Sequence, residues 1–314
     1  MKRTKTFKIV TAIITADLHL SGNTPSSRID DYTKAQRRKL TFLKELQVKH
    51  GCPILDAGDI FNSSKSPPYV ESFAYIFLPD NIITIPGNHD LPKHSLDLYH
   101  ESSLALLENV GKIIVLRSPE DSPHCASRVM CVYGIPFGQY GTETDSPYFK
   151  PDKQTINVLL IHEMVFPKGK PPWPGAEGFA AEEILKMNPE FDLIVTGHNH
   201  NAFVVEKDGR LLVNPGSMLR QSIDKEDYEP RCYLYYADEN KVVPVYYPIE
   251  ENVFSVEEKK AKEEKRERLA AYIERMNMEW EVGLSFRRNL EDFLNKNDVS
   301  RRVREVIWAS LPQT

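Results

Sequence analysis

The stretch Ile82-Ile83-Thr84-Ile85-Pro86-Gly87-Asn88-His89-Asp90 joins a short apolar run to a cluster of polar, metal-seeking residue types. An apolar run of this length, closed by Pro and Gly, reads as a buried strand. Its last residues arrive at the strand's carboxyl end, where open α/β sheets build their sites. The arrangement recurs along the chain. The run Ile9-Val10-Thr11-Ala12-Ile13-Ile14-Thr15-Ala16 ends in Asp17 and His19, and the run 53–57 ends in Gly58-Asp59. Ile156-Asn157-Val158-Leu159-Leu160-Ile161 ends in His162, and 192–196 leads into Gly197-His198-Asn199-His200. Five strand ends thus carry Asp, Asn or His.

Around these ends the chain reads as βα units first and hairpins last. A polar loop at 21–27 leads to a helix over 30–50, with Gly51 as its C-cap. Shorter helices are expected at 69–77, 96–109 and 180–187, and further strands at 112–116 and 128–133. Asp208-Gly209, flanked by 202–206 and 210–213, is a type I′ hairpin signal. Strands at 232–236 and 242–247 then close one mixed, layered α/β domain near Ile249. The composition changes from about Glu251. Residues 257–268 are nearly all Glu, Lys, Arg and Ala and read as a solvated helix. Leu269, Tyr272, Ile273 and Met276 follow at helical spacing, as do Leu290, Phe293 and Leu294. The expected division is therefore 1–250 and a charged helical region at 251–314.

Bulk properties set the outer bounds. A chain of 314 residues can bury a sizeable core. The formal charge of -5 gives no sign of a global affinity for nucleic acid and does not exclude a local basic surface. Cys52, Cys125, Cys131 and Cys232 match neither a zinc spacing nor a CxxC redox pair, so free thiols in a reducing cytoplasm are expected. Lys2, Arg3, Lys5 and Lys8 before the first apolar run imitate a signal peptide, but cleavage there would discard Asp17 and His19. A core strand is the better reading. No apolar run reaches the roughly 20 residues a membrane-spanning helix needs, so a cytoplasmic protein is expected.

The clustered residues imply a definite chemistry. Two divalent ions about 3.5–4 Å apart can activate a water and clamp a phosphoryl group. Holding them needs anionic oxygens to bridge and imidazoles to complete each shell. Asp17, His19, Asp59, Asn88, His162, His198 and His200 form such a mixed set. Imidazole with carboxylate suits Mn, Fe or Zn, with Mg also possible. His89 alternates away from its ligand neighbour and is free to face a substrate, with Asp90 placed to orient its ring.

In this order, D-x-H, GD, GNHD, a lone strand-end His and GHxH resemble the signature of calcineurin-like metallophosphoesterases, over residues 8–249. The resemblance implies a four-layer αββα sandwich of mixed sheets with a short C-terminal helical appendage. It also implies that Asp17, His19, Asp59 and His200 hold one ion. Asp59, Asn88, His162 and His198 would hold the other, with Asp59 bridging and His89 acting as general acid. Within that family the chain is most similar to SbcD-type nucleases. The resembling stretches are Gly58-Asp59-Ile60-Phe61, Gly87-Asn88-His89-Asp90-Leu91-Pro92 and Pro215-Gly216-Ser217. Some relatives carry His where this chain has Asn62, and the long cap of the larger nucleases is here about 60 residues. The compact size resembles phage-encoded members. The likeness implies two ions, Mn first among them, DNA as substrate and an SMC-like ATPase partner docked on the C-terminal helices. It further implies a homodimer contact near 96–109 and no membrane association. Asn62, Asn214 and Ser217 are the expected substrate-binding residues, lining the wall of the site.

Taken singly, an Asp or His at a strand end is more often a hydrogen-bonded turn residue than a ligand. Agreement of all five blocks overrides that reading. His94, His100 and His124 lie outside the pattern and read as surface residues. Trp173, in the Pro/Gly-rich stretch 167–175, packs its own loop or stacks on a base. Three functions compete: a Mn-dependent DNA nuclease, a phosphodiesterase or phosphatase for small nucleotides, and a non-catalytic scaffold. The complete ligand set disfavours the last.

Overall fold

In the computed structural model the described residues are 9–118, 121–126, 130–141, 149, 151–167, 177–255 and individual positions between 257 and 307. The chain separates into two compact units, Met1–Ser255 and Val256–Thr314. Trp173, half of the 257–268 stretch and nearly all of 269–294 lie outside the described residues.

In chain order, the first half of unit one runs β1 (Ala12–Thr15), α1 (Tyr32–His50), β2 (Ile54–Asp56), α2 (Pro68–Phe77), β3 (Ile82–Thr84), α3 (Ser103–Asn109) and β4 (Ile113–Val115). The second half runs β5 (His124–Cys125), β6 (Met130–Ile135), β7 (Ile156–His162), β8 (Val165–Phe166), β9 (Phe179–Ala180), α4 (Ala181–Met187), β10 (Leu193–Gly197), β11 (Phe203–Lys207), β12 (Arg210–Asn214), β13 (Arg231–Tyr236) and β14 (Lys241–Tyr246). One six-stranded sheet has the order β14-β13-β1-β2-β3-β4 and the other β11-β12-β10-β7-β6-β5. Parallel strands form the middle of each and antiparallel ones close it, as at β1/β13 and β11/β12.

Strand periodicity explains the layers. Side chains alternate between faces every second residue. Ala12 and Ile14 of β1, Leu55 of β2 and Ile83 of β3 therefore meet Val158 and Leu160 of β7 and Leu193 and Val195 of β10 in a core between the sheets. Ile13, Ile54 and Ile82 face the other way, under Leu40 and Leu43 of α1 and Val70 and Ala74 of α2. Leu159, Ile161 and Ile194 pack under Ile184 and Leu185 of α4. With both faces buried, these strands read as unbroken apolar runs rather than alternating ones. The order of layers is helix, sheet, sheet, helix, as the sequence suggested.

Local signals decide the ends. Asp31 accepts a hydrogen bond from the Lys34 amide at the start of α1, and Gly51 ends it in the left-handed region at φ 62°. Asp208 and Gly209 both have positive φ, as a type I′ turn requires. Two expectations need correction. The helix expected over 96–109 is a short 3-10 segment, Leu96–Glu101, followed by α3, because the Ser102 hydroxyl caps the Ala105 amide and starts a new helix there. Cys125 and Cys131 are not free thiols; they face each other across β5 and β6 and form a disulfide. Cys52 and Cys232 are free and buried. Among the described residues no helix is long and apolar enough to cross a membrane.

Candidate metal centre

The five strand ends marked in the sequence, those of β1, β2, β3, β7 and β10, converge between the sheets. The turns after β1, β2 and β10 are tight, and Asp17, His19, Asp59 and His198 adopt positive φ of 52°, 46°, 58° and 73°. Non-glycine residues in that region are strained, and such strain clusters at functional sites. Gly87 makes a close approach possible: a Cβ there would collide with the Asp59 carboxylate.

The side chains fall into two groups that share Asp59. In the first, His19 Nε2 lies 3.0 Å from His200 Nε2, 3.8 Å from Asp17 Oδ1 and 3.7 Å from Asp59 Oδ2. In the second, His162 Nε2 lies 3.3 Å from Asp59 Oδ2 and 3.1 Å from Asn88 Oδ1, and His198 Nδ1 lies 2.8 Å from the same Asn88 oxygen. His162 Nδ1 donates to the Ala57 carbonyl at 2.6 Å, which turns Nε2 toward these two oxygens. Asp17 Oδ2 and Asp59 Oδ2 are buried without a hydrogen-bond partner. Buried anionic oxygens without donors, facing imidazole lone pairs, are what a divalent cation satisfies. The residues present fit two such ions.

Electrostatics agree with that reading. Burial pushes the Asp17 carboxyl up, while His200 and His162 pull it down. Burial also works against ionised Asp59, but His162 and His19 override it and hold the carboxyl low. Burial takes His19 down to about 3 and His198 to about 4. His162 is opposed by burial yet raised to about 10 by the Asp59 carboxylate, a proton standing where a cation would otherwise balance the charge.

His89 belongs beside the first group, its ring edge-on to His19 at 4.8 Å. Its amide donates to Asp59 Oδ1 at 2.8 Å, and its Nδ1 donates to the Asn62 carbonyl at 3.0 Å. The expectation that Asp90 orients this ring is not met. Asp90 is fully buried and accepts from the amides of Asp59, Phe61 and Gly87 at 2.8, 3.0 and 3.1 Å. It ties the GD turn to the GNHD turn, and the Asn62 backbone orients His89. The Asn62 side chain is exposed at the rim. Asn214 and Ser217 are buried: Asn214 Oδ1 accepts from the Gly216 amide and the Ser217 hydroxyl donates to the Leu219 carbonyl. The Ser217 hydroxyl is held within its own turn, whereas Asn214 Nδ2 is buried without a hydrogen-bond partner. Their loop acts through its backbone, with the Met218 amide donating to the Asp17 carbonyl at 3.2 Å.

Sequence reasoning missed three contributors. The Ala57 carbonyl carries no sequence signal. Phe137, whose ring lies 5.6 Å from His198 and 6.2 Å from His162, follows another parallel strand, β6, and that strand end was the available clue. Lys225 donates to the His200 carbonyl at 3.2 Å from a loop no motif marks.

Comparison with known proteins places these features. Residues 10–202 match the calcineurin-like phosphoesterase family. The chain is similar to the DNA double-strand break repair protein Mre11 of Archaeoglobus fulgidus, 26% identical over 234 residues that cover 66% of this chain and 50% of that protein. It thus spans about half the length of that curated relative. A solved Thermus thermophilus protein is 14% identical, covers 76% of this chain and 100% of its own, and has a TM-score of 0.44. A novel archaeal phosphodiesterase is 13% identical, with 75% and 98% covered and a TM-score of 0.37. The chain belongs to the calcineurin-like phosphoesterase family and is a metal-dependent phosphoesterase.

Proposed function

We propose that this phosphoesterase cleaves phosphodiester bonds in DNA as a two-metal nuclease of the SbcD type, with Mn as the working ion and an SMC-like ATPase as partner. The observation that carries the two-metal reading is the pair of donor groups meeting on Asp59, each with a buried carboxylate oxygen left without a donor. DNA as substrate is supported by the likeness to a double-strand break repair protein.

Asp17, His19, Asp59 and His200 would hold one ion, and Asp59, Asn88, His162 and His198 the other. Two bound divalent ions supply an activated water and offset the charge of the phosphoryl oxygens. The chain's own residues do the rest. The Ala57 carbonyl fixes the tautomer and plane of His162. Asp90 locks the two turns that carry Asp59 and Asn88. His89, its ring held by the Nδ1 hydrogen bond to the Asn62 carbonyl, leaves Nε2 open, and in the doubly protonated ring Nε2 would give its own proton to the leaving sugar oxygen. Lys225 and the Met218 amide steady the backbone of His200 and Asp17.

The test is Mn-supplemented digestion of end-labelled linear DNA, double- and single-stranded, by wild type and His89→Ala in parallel. Cleavage by the wild type alone supports the reading. Intact DNA beside hydrolysed bis-p-nitrophenyl phosphate would move the substrate to small nucleotide esters.

A further inference from the structure

Helix α1 carries a groove of about 390 Å³ lined by three cations, Lys34, Arg37 and Arg38, by one carboxylate, Glu45, and by Phe42 and Pro248 among its other residues, so that positive charge predominates. Two independent connections place the first turns of α1 and Pro248, one end of this groove, at the site end of the first sheet. Ser21, two residues past His19, exchanges hydrogen bonds with the Gln36 amide group at 2.8 and 2.9 Å, which pins the first turns of α1 beside the β1 loop. Strand β13 runs antiparallel to β1 and pairs Arg231 with Tyr246, so Pro248 emerges at that same end.

The charge of the groove is available. Among the described residues no carboxylate lies within ion-pair distance of Lys34 or Arg37; the neighbouring pairs are Arg28–Asp30 and Arg38–Glu250. Arg38 is 3.8 Å from Glu250 Oε1, but Glu250 already holds the buried Lys39 through its other oxygen at 3.1 Å. Arg37 rests over the Phe77 ring at 5.9 Å, which leaves its guanidinium donors exposed. The cations at 34, 37 and 38 span about 6 Å along the helix axis, a length over which duplex DNA presents several phosphates. A chain of formal charge -5 has no global attraction for a polyanion, so any affinity must be local.

The geometry points to this groove as a backbone-phosphate site for the DNA whose end occupies the metal centre, with Lys34, Arg37 and Arg38 as its contacts. The assignment rests on the nuclease reading and extends it. Phosphate contacts fix position without reading sequence. The metal centre engages one phosphodiester, and the groove holds the backbone away from it.

Two full-length variants test it, Lys34→Glu/Arg37→Glu and the milder Lys34→Gln/Arg37→Gln, with Lys186→Glu on α4 as the control. Fluorescence anisotropy with a labelled linear duplex in a chelator, across a salt series, reads binding without cleavage. The expected result for the charge reversal is a salt slope lower by about 2 and binding weaker by about tenfold or more at low salt. The neutral pair should shift less in the same direction and the control not at all. Turnover of bis-p-nitrophenyl phosphate with Mn should stay at the wild-type level in all three. Unchanged slopes in a wild type that binds and cuts DNA would overturn the groove and leave the nuclease reading standing. A wild type that turns over the small ester but neither binds nor cuts DNA would overturn both. Binding of polyglutamate in place of DNA would hand the groove to an acidic protein.

Discussion

His162 donates from Nδ1 to the Ala57 carbonyl at 2.6 Å, across the junction between the two sheets. This bond leaves Nε2 facing Asn88 Oδ1 and Asp59 Oδ2. Two acceptor oxygens so close to one ring nitrogen call for positive charge there, which a proton supplies in the metal-free protein and a bound cation would supply in its place.

The first prediction concerns that cation. Chelator-stripped protein titrated with Mn by calorimetry should bind two ions. Asp59→Asn, which weakens both groups, should lose most of both heats, whereas His200→Ala should lose one. Saturating Mn should also raise the melting temperature, since a ligand at 100 times its dissociation constant adds about 2.7 kcal/mol to the native state. A single heat that survives Asp59→Asn would rule out the shared carboxylate.

His89→Ala should separate chemistry from metal binding. His89 touches Asp59 through its backbone amide, and that contact survives the substitution. Both calorimetric heats should persist while turnover falls by roughly 10²–10⁴, the usual contribution of a general acid. Full activity in this variant would remove His89 from the reaction.

Asp90→Asn distinguishes a clamp from an orienting residue. The carboxylate accepts three backbone amides, and an amide side chain would leave donors facing one another. A loss of about 1–3 kcal/mol in denaturant unfolding is expected, the cost of a buried polar group left unsatisfied. Mn affinity should fall with it. Unchanged stability with a pure loss of turnover would instead return Asp90 to orienting His89.

In the metal-free protein, pH should act through the imidazoles. His19 and His198 are held at about 3 and about 4, below their ordinary 6.5, so the folded state prefers them neutral. Their contribution is present above pH 6.5 and is lost as pH falls toward 4. His162 is raised to about 10, so its contribution is present below 6.5 and is lost as pH climbs through 10. Thermal melts of stripped protein should therefore peak between these limits and drop on both sides. His198→Asn should flatten the acid limb. A melting temperature that keeps rising down to pH 4 would contradict the assignment.

Much of this centre was legible because its donors sit where short apolar strands stop, and a strand buried on both faces is easy to see. The cap residues Asp31 and Gly51 likewise announce α1. What stayed hidden depends on pairings between distant segments. Nothing near Asp90 reveals that the amides of Asp59 and Phe61 will point at it. Asn214 and Ser217 look like site residues by position, and only the path of their turn buries them. The Cys125–Cys131 bond was missed because spacing alone does not show that β5 folds back on β6.

The place of β13 in its sheet has a further consequence for how the protein is made. Ala12 pairs with Tyr235 and Ile14 with Tyr233. During synthesis β1 can gain β2 early, but its other edge stays open until almost all of unit one has left the ribosome. An open strand edge invites pairing with other chains, and contacts this distant in sequence form slowly. Because β1 leads directly to Asp17 and His19, the strand that carries two of the centre's seven donor residues has to wait for the last strands of the unit.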